Sequence, residues 1–347
     1  MINSAKILYV GAVYQGGTCY DRMRIMRDMG LEITAFDTTA YLNDGTKIAR
    51  SLRHRTKMGL NVKRLNRDLF NAVSRSDGIT HIWFDKAILI WPATLKKLRK
   101  TTRAVLIHYT PDPQILFHRS RHFINSIRLY DLLFTTKPFE LELYKELGAH
   151  SVHLTYQAYD KNRFYPRELS EQDFIKYKTD VAFIGHYEKH RADCIKALVD
   201  SGITIKVWGR HWPQFARRHR WARKIVMGKS IVCEDYCMAL SAASICLGLL
   251  SKLVPETTTT RSFEIPACGA FMLAERTKEH TELFDEGREA EFFSSRHELV
   301  EKAHYYLKHS EERQRIAAAG RQRCLKSGYS YQDRLKEILG KVEGIRN

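Results

Sequence analysis

The stretch TDVAFIGHYEKHRADCIKALVDSGITIKVWGR, residues 179–210, decides the fold. An apolar, β-branched run ends at Gly185, a helical pattern follows and stops at Gly202, and a second β-branched run comes next. Strand, loop, helix and strand in that order make a unit of the parallel α/β type. The same order opens the chain in KILYVGAVYQGGTCYDRMRIMRDMGLEITAFDTT, residues 6–39, where the first run ends at Gly11 and the helical pattern at Gly30. A first strand that begins again in mid-chain predicts two doubly wound domains in tandem.

Working outward, THIWFD, RAVLIHY, LLFTT and SVHLTY read as further strands of the first half, and SICLGLL, AFMLAE and EAEFF as strands of the second. The polar segment around Pro166, near residues 160–178, reads as a linker. The expected division is a first Rossmann-like domain over 1–165, a second over 175–328, and a closing helix within 329–347 that packs back on the first domain. A length of 347 residues suits two ordinary cores.

Lys and Arg number 57 against 39 Asp and Glu, a net charge of +18. Such a field favours an anionic partner: nucleic acid, an anionic membrane surface or a phosphorylated substrate. Residues 47–75 concentrate it, with nine cations against Asp68 alone, a net +8, interspersed with Leu52, Met58, Leu60, Leu65 and Leu69. A basic amphipathic segment of this kind suits anionic lipid, and the same charge suits nucleic-acid phosphates. A second cluster, RRHRWARK at 217–224, offers Trp221 as a membrane anchor or acceptor contact. No helix-turn-helix, zinc or RNA-recognition signature accompanies the charge, which argues against nucleic acid. The seven cysteines are odd in number and scattered, and Cys233 and Cys237 lack a second pair, so reduced thiols are expected and a zinc site is not. No run reaches the ~18 consecutive apolar residues of a membrane span. No leader pattern precedes the first strand, and a cytoplasmic protein, peripheral at the inner face of the membrane, is expected.

The chemistry gathers in VPETTTTRSFEIPACGAFML, residues 254–273. SICLGLL before it reads as a buried parallel strand, and TRSFEIPACG as the start of a helix capped by the threonines. In a doubly wound fold ligands lie at the carboxyl ends of strands, where helix N-termini offer N–H groups to phosphate. Thr259 and Thr260 stand at that end, and Arg261 adds a cation. Glu264, one turn in, would repel phosphate but suits a diol such as a ribose, and Glu256 suits sugar hydroxyls. Acidic residues also collect near helix N-termini simply to complement the dipole.

From DVAFIGHY to YSYQDR the chain resembles nucleotide-sugar glycosyltransferases of the GT-B fold, in particular the spore-maturation-protein (CgeB)-like group. The matching residues are TTRSFEIPACGAFMLAE, then HTELFDEGREAEFFSSRHELVEKAHYYLKHSEERQRIAAAGRQR, then YSYQDR. The N-terminal half is similar in layout only. The resemblance implies an α/β protein of two Rossmann-like domains facing a cleft, donor on the second and acceptor on the first. Glu256 and Glu264 match the E-x7-E pattern of retaining relatives, in which the second glutamate holds the nucleotide ribose and the first faces the donor sugar. The Phe-Gly that often follows the first glutamate is replaced here by threonines. The resemblance also implies catalysis without metal or other cofactor, the diphosphate being balanced by helix N-termini and by Arg261, Arg191 and Lys189, with Gly185 letting the backbone approach. Gly16 and Gly17 resemble the glycine loop that lies against donor phosphates, although turn chemistry alone also explains them. His108 and Asp112, near a strand end, are candidates to touch the sugar or to act as base in an inverting reaction, the alternative to a retaining transfer in which the leaving phosphate takes the acceptor proton. The expected function is hexosyl transfer from a nucleotide-diphosphate sugar to a glycan or lipid-linked acceptor of the cell envelope, with retention. The alternatives are a basic, non-enzymatic nucleic-acid-binding protein and a nucleotide-sugar epimerase of the same fold.

Overall fold

The computed structural model describes residues 5–117 and 120–344. The chain forms two compact units. One is built from the chain up to Tyr156 and again from Gln332 onward; the other is Gln157–Tyr331.

The first unit carries a six-stranded parallel sheet of β1 (Lys6–Gly11), β2 (Glu32–Asp37), β3 (His81–Asp85), β4 (Val105–Thr110), β5 (Leu132–Thr135) and β6 (Val152–Leu154). Their order is β2-β1-β3-β4-β5-β6, every neighbouring pair parallel. The central strands β3, β4 and β5 are buried throughout, as continuous apolar runs covered on both faces require, whereas edge strand β2 is largely exposed. Leu65, Leu69 and Val73 of the helix Leu60–Ser74 and Leu95 and Leu98 of the helix Pro92–Thr101 pack on Ile82, Phe84 and Leu106. Each fully buried side chain of this size contributes roughly 1.5–3 kcal/mol. Chain order reverses between β1 and β3, and ligands of such sheets lie where it does.

The second unit repeats the plan with β7 (Thr179–Ile184), β8 (Ile205–Trp208), β9 (Val226–Gly228), β10 (Ala243–Gly248), β11 (Met272–Glu275) and β12 (Glu291–Phe293), ordered β12-β11-β10-β7-β8-β9 and all parallel. Here the reversal falls between β7 and β10. Val181, Phe183, Ile245, Leu247 and Leu273 form the sheet's share of the core, met by Ile195 and Leu198 of the helix Lys189–Asp200 and Leu299 of the helix Arg296–Lys308. Two doubly wound parallel sheets are therefore present, as the tandem pattern predicts.

Several local expectations change. The segment 160–178 is not a free linker but folds within the second unit and contains the helix Glu171–Tyr177. It is held there because Arg167 N–H donates to Ser241 Oγ, the Cys237 thiol donates to the Arg163 carbonyl, and Tyr159 bridges Ser330. The closing helix runs Tyr331–Glu343, and from Gln332 it counts with the first unit; residues 345–347, part of that expectation, lie outside the described residues, as do 1–4. Strand β9 was not expected. The basic segment 47–75 is two helices, Lys47–Thr56 and Leu60–Ser74, broken where Lys57 and Gly59 take positive φ. Leu65 and Leu69 belong to the core, while Leu52, Met58 and Leu60 are exposed. The side chain of Lys47 lies outside those described. Trp221 is no exposed anchor: it packs on the second core against Phe215, with Lys196 over its ring. No described helix is long and apolar enough to cross a membrane.

Candidate functional site

The loop 249–260 leaves β10 at the reversal point of the second sheet, and polar side chains from four neighbouring segments hold its backbone. Arg191 Nε donates to the Leu250 carbonyl at 3.3 Å and Arg261 Nη2 to the Leu249 carbonyl at 3.0 Å. Leu250 N–H donates to Glu275 Oε1 at 2.7 Å. Glu188 Oε2 accepts from the Ser251 hydroxyl and the Lys252 N–H, each at 3.1 Å. Thr277 Oγ1 donates to the Thr257 carbonyl at 2.9 Å. The loop closes on itself as Ser251 N–H donates to Glu256 Oε2 at 3.0 Å.

Two guanidiniums thus converge on the end of β10. Arg191, in the first turn of the helix Lys189–Asp200, is 1% exposed and pairs with Glu188 at 3.1 Å. Burial and the nearby Arg261 push its pKa down to about 10 against the pull of Glu188, Glu256 and Glu275. Burial acts to raise the Glu188 carboxyl, but Arg191 and its hydrogen bonds to Lys252, Ser251 and His186 outweigh it, and the net shift is downward. Arg261 stands 5.9 Å from the Phe183 ring, and its Nε, shielded from water, has no hydrogen-bond partner among the described residues. Unpaired N–H groups on partly shielded guanidiniums are what an anion would satisfy. Gly185 directly follows β7 at the same corner. A Cβ there would stand 2.7 Å from the Phe183 ring, and a Cβ on Gly209 would lie 1.8 Å from the Gly185 carbonyl oxygen.

Glu264 lies in the helix Arg261–Ala267 and accepts from the Tyr236 hydroxyl at 2.8 Å. Burial lifts its carboxyl above the ordinary range, against the pull of Tyr236, Arg261 and Thr260. The threonines do not cap this helix as expected: Thr260 occupies the N-cap with helical backbone and makes no capping bond, its hydroxyl being engaged by Glu264 instead. Thr259, buried, donates its N–H to Ser262 Oγ at 3.1 Å. Ser262 in turn bonds His280 Nε2 at 2.8 Å, and His280 Nδ1 meets the Glu275 carbonyl at 2.7 Å. A carbonyl only accepts, so Nδ1 carries the proton and Nε2 accepts from Ser262. Burial keeps this imidazole neutral by lowering its pKa.

The second unit therefore brings together Arg191, Arg261, Glu256, Glu264, Thr259, Thr260 and Gly185. It does not include Lys189 in the cluster: that side chain is 83% exposed and pairs with Asp193 one turn along its helix. The first unit holds the remaining residues singled out in the sequence. Gly16, at φ +87°, and Gly17 form the turn after β1, and Gly17 is the N-cap of the helix Thr18–Asp28. His108 does not end its strand. β4 continues to Thr110, so His108 is fully buried against Phe123 and Tyr130, and neither ring nitrogen has a partner among the described residues. Burial pushes its pKa down to about 3. A group so enclosed neither touches a sugar nor works as a base at the surface. Asp112 follows β4, half exposed, in an ion pair with Lys86.

Sequence reasoning missed Glu188, Glu275, Tyr236 and His280. It also missed, at the reversal point of the first sheet, the wholly buried pair of Arg22 with Asp85. That pair is bidentate, with Nε–Oδ2 2.7 Å and Nη2–Oδ1 2.8 Å, and is joined by Tyr9 and Cys19. Asp85 and Glu275 each close a strand read correctly in the sequence, THIWFD and AFMLAE. An acid at the carboxyl end of a parallel strand was the signal available.

Residues 190–340 match a family of proteins described as glycosyl transferase-like. Spore protein CgeB of Bacillus subtilis is 23% identical over 212 residues, which cover 56% of this chain and 62% of that protein. The fold is shared with a glycosyltransferase from Rickettsia africae (TM-score 0.71, 13% identity, 99% of both chains). It is shared also with a sucrose-phosphate synthase from Thermosynechococcus elongatus (TM-score 0.70, 11% identity, 98% of this chain and 100% of that one). A third similar structure is Anabaena HepE in complex with UDP-glucose (TM-score 0.68, 14% identity, 98% of this chain and 99% of that one). The matched segment is thus similar to glycosyl transferase-like proteins, and the two parallel sheets share the fold of these solved structures.

Proposed function

We propose that this protein transfers a sugar from a nucleoside-diphosphate sugar to a hydroxyl acceptor, with the donor held at the β7–β10 reversal point. The observation that carries the reading is the convergence of Arg191 and Arg261 on the end of β10, beside Glu264. The guanidiniums and the loop's backbone balance the diphosphate without a metal, as preorganised donors do in a water-poor site. Glu264, steadied by Tyr236, accepts the ribose hydroxyls, and Glu256 orients the sugar. Lys189 is left out of the assignment because it points into solvent beside Asp193. The UDP-glucose complex of HepE, a protein of the same fold, supports a donor of this class.

The transfer proceeds with retention. The bond from the anomeric carbon to the diphosphate oxygen breaks, the acceptor oxygen bonds that carbon on the same face, and the acceptor proton passes to the departing phosphate. The enclosure of His108, which removes the most conspicuous base, supports this route. The acceptor is a lipid-linked or envelope glycan met at the inner membrane face, in keeping with the exposed apolar residues of the basic segment. Glu264→Ala tests the donor assignment. Nucleotide binding is lost while the far-UV spectrum and unfolding transition persist; unchanged binding would refute the assignment.

A further inference from the structure

A cavity of about 700 Å³ opens on the first unit, lined by Arg55, Thr56, Lys57, Met58, Ser120, Arg121, His122 and Ile124. Its volume is that of a ligand pocket, commonly ~300–1,000 Å³. Its chemistry is one-sided: among the described residues it is lined by three cations, an imidazole and two hydroxyls, and by no carboxylate.

The wall is built with strain. Lys57 takes φ +57°, which costs a non-glycine residue on the order of 1 kcal/mol. The surroundings hold it there. Its N–H donates to the Arg53 carbonyl at 2.8 Å, and its own carbonyl accepts from Trp91 Nε1 at 3.3 Å. Arg53, itself buried, donates to the carbonyls of Tyr41, Leu42 and Asp44. The Trp91 ring also lies 6.0 Å from that of His122 on the opposite wall. Lys57 is only 5% exposed, and burial together with the nearby Lys86 lowers its pKa.

The rim is apolar. Ile48 and Leu52, one turn apart, are 81% and 60% exposed, and Met58 and Leu60 are 54% and 85% exposed. Four large apolar side chains within thirteen residues, among Arg50, Arg55, Lys63 and Arg64, are the signature of an element that lies in a membrane interface.

We propose that this cavity binds the headgroup phosphate of an anionic lipid, gripped by Arg55, Lys57, Arg121 and His122, while Ile48, Leu52, Met58 and Leu60 enter the bilayer surface. The role of that lipid phosphate as the acceptor's anchor rests on the transferase reading; the binding does not.

The test is co-sedimentation of the full chain with phosphatidylcholine vesicles, with and without phosphatidylglycerol. Wild type binds only the anionic vesicles. Arg55→Glu with Arg121→Glu weakens that binding more than about tenfold, whereas the same charge change on an exposed helix face of the same unit, Lys96→Glu with Lys100→Glu, weakens it less than about threefold. Leu52→Ser with Met58→Ser also reduces vesicle binding but keeps thermal stabilisation by glycerol 3-phosphate. The site is overturned if wild type ignores phosphatidylglycerol or if the two charge-reversed pairs lose equally. It is overturned as a lipid site, in favour of soluble phosphate, if the serine pair binds vesicles undiminished and inorganic phosphate displaces them. Thermal shift with nucleoside-diphosphate sugars separates the two readings. Failed vesicle binding with an intact nucleotide shift removes the lipid site alone, and an absent nucleotide shift with intact vesicle binding removes the donor reading alone.

Discussion

Replacing Glu188 with alanine should loosen the loop on which the proposed donor site depends. The carboxylate is 8% exposed and serves four partners: Arg191 at 3.1 Å, His186 at 2.8 Å, and the Ser251 hydroxyl and Lys252 N–H at 3.1 Å each. Arg191 is 1% exposed, so the substitution strands a buried cation, a change that ordinarily costs about 3–5 kcal/mol. Arg191 keeps the carbonyls of Leu250 and His186. Lys252 is exposed enough for water to replace its lost acceptor. The lower end, about 3 kcal/mol, is therefore expected. The double variant Glu188→Ala, Arg191→Met removes the stranded charge along with its partner and should cost clearly less than the two single changes added together. Urea unfolding followed by tryptophan emission reads the second unit through Trp208, Trp212 and Trp221. A single-variant loss below about 1 kcal/mol, or additive costs, would refute the claim that this pair orders the loop.

Three further outcomes follow from the same geometry. Burial raises the Glu264 carboxyl, so nucleotide affinity should fall on acidification at a pH above the ordinary carboxylate range, and Glu264→Gln should flatten that acid limb. The sign for stability is opposite: a raised carboxyl favours the folded chain as pH falls through its folded pKa, so Glu264→Gln should be at least as stable as wild type at neutral pH while binding nucleotide more weakly. Glu298, held to about 2 chiefly by its hydrogen bond from Arg276, stabilises the fold above the unfolded value of 4.5, and that contribution disappears as pH falls from 4.5 towards 2. Glu298→Gln should remove about 1–2 kcal/mol of this acid-sensitive stability after solvent screening, read by unfolding across that window. Arg22→Ala, which strands Asp85 in the first unit, should cost about 3–5 kcal/mol, read from the unfolding transition that Trp83 and Trp91 report.

How much of this was legible in the sequence follows from the range of the interactions. β1, β3, β4, β5, β7 and β10 are largely apolar runs that stand out locally, and they were read within a few residues of their ends. β9, the three residues VMG at a sheet edge, has no such run. Arg261 and Glu264 were visible because both sit on one short helix next to a readable strand. Glu188 was not, because its loop partners are 63 and 64 positions away, and no local pattern announces a pairing of that span. Arg22 and Asp85 were hidden in the same way, 63 positions apart. His108 failed for a different reason. Ending the strand at Tyr109 instead of Thr110 places the imidazole at the rim, where the real strand buries it beside Phe123. The threonine run suggested a cap by composition, yet Glu264 takes the Thr260 hydroxyl and Ser262 takes the Thr259 N–H.

The central claim is that the β7–β10 corner of the second unit holds a nucleoside-diphosphate sugar. Thermal unfolding of the full chain against a panel of nucleoside diphosphates and their sugars tests it most directly, since a ligand at 100 times its dissociation constant stabilises by about 2.7 kcal/mol. At least one member of the panel should raise the unfolding temperature of the wild type and fail to do so with Glu264→Ala. A panel with no shift, or an equal shift in that variant, would contradict it.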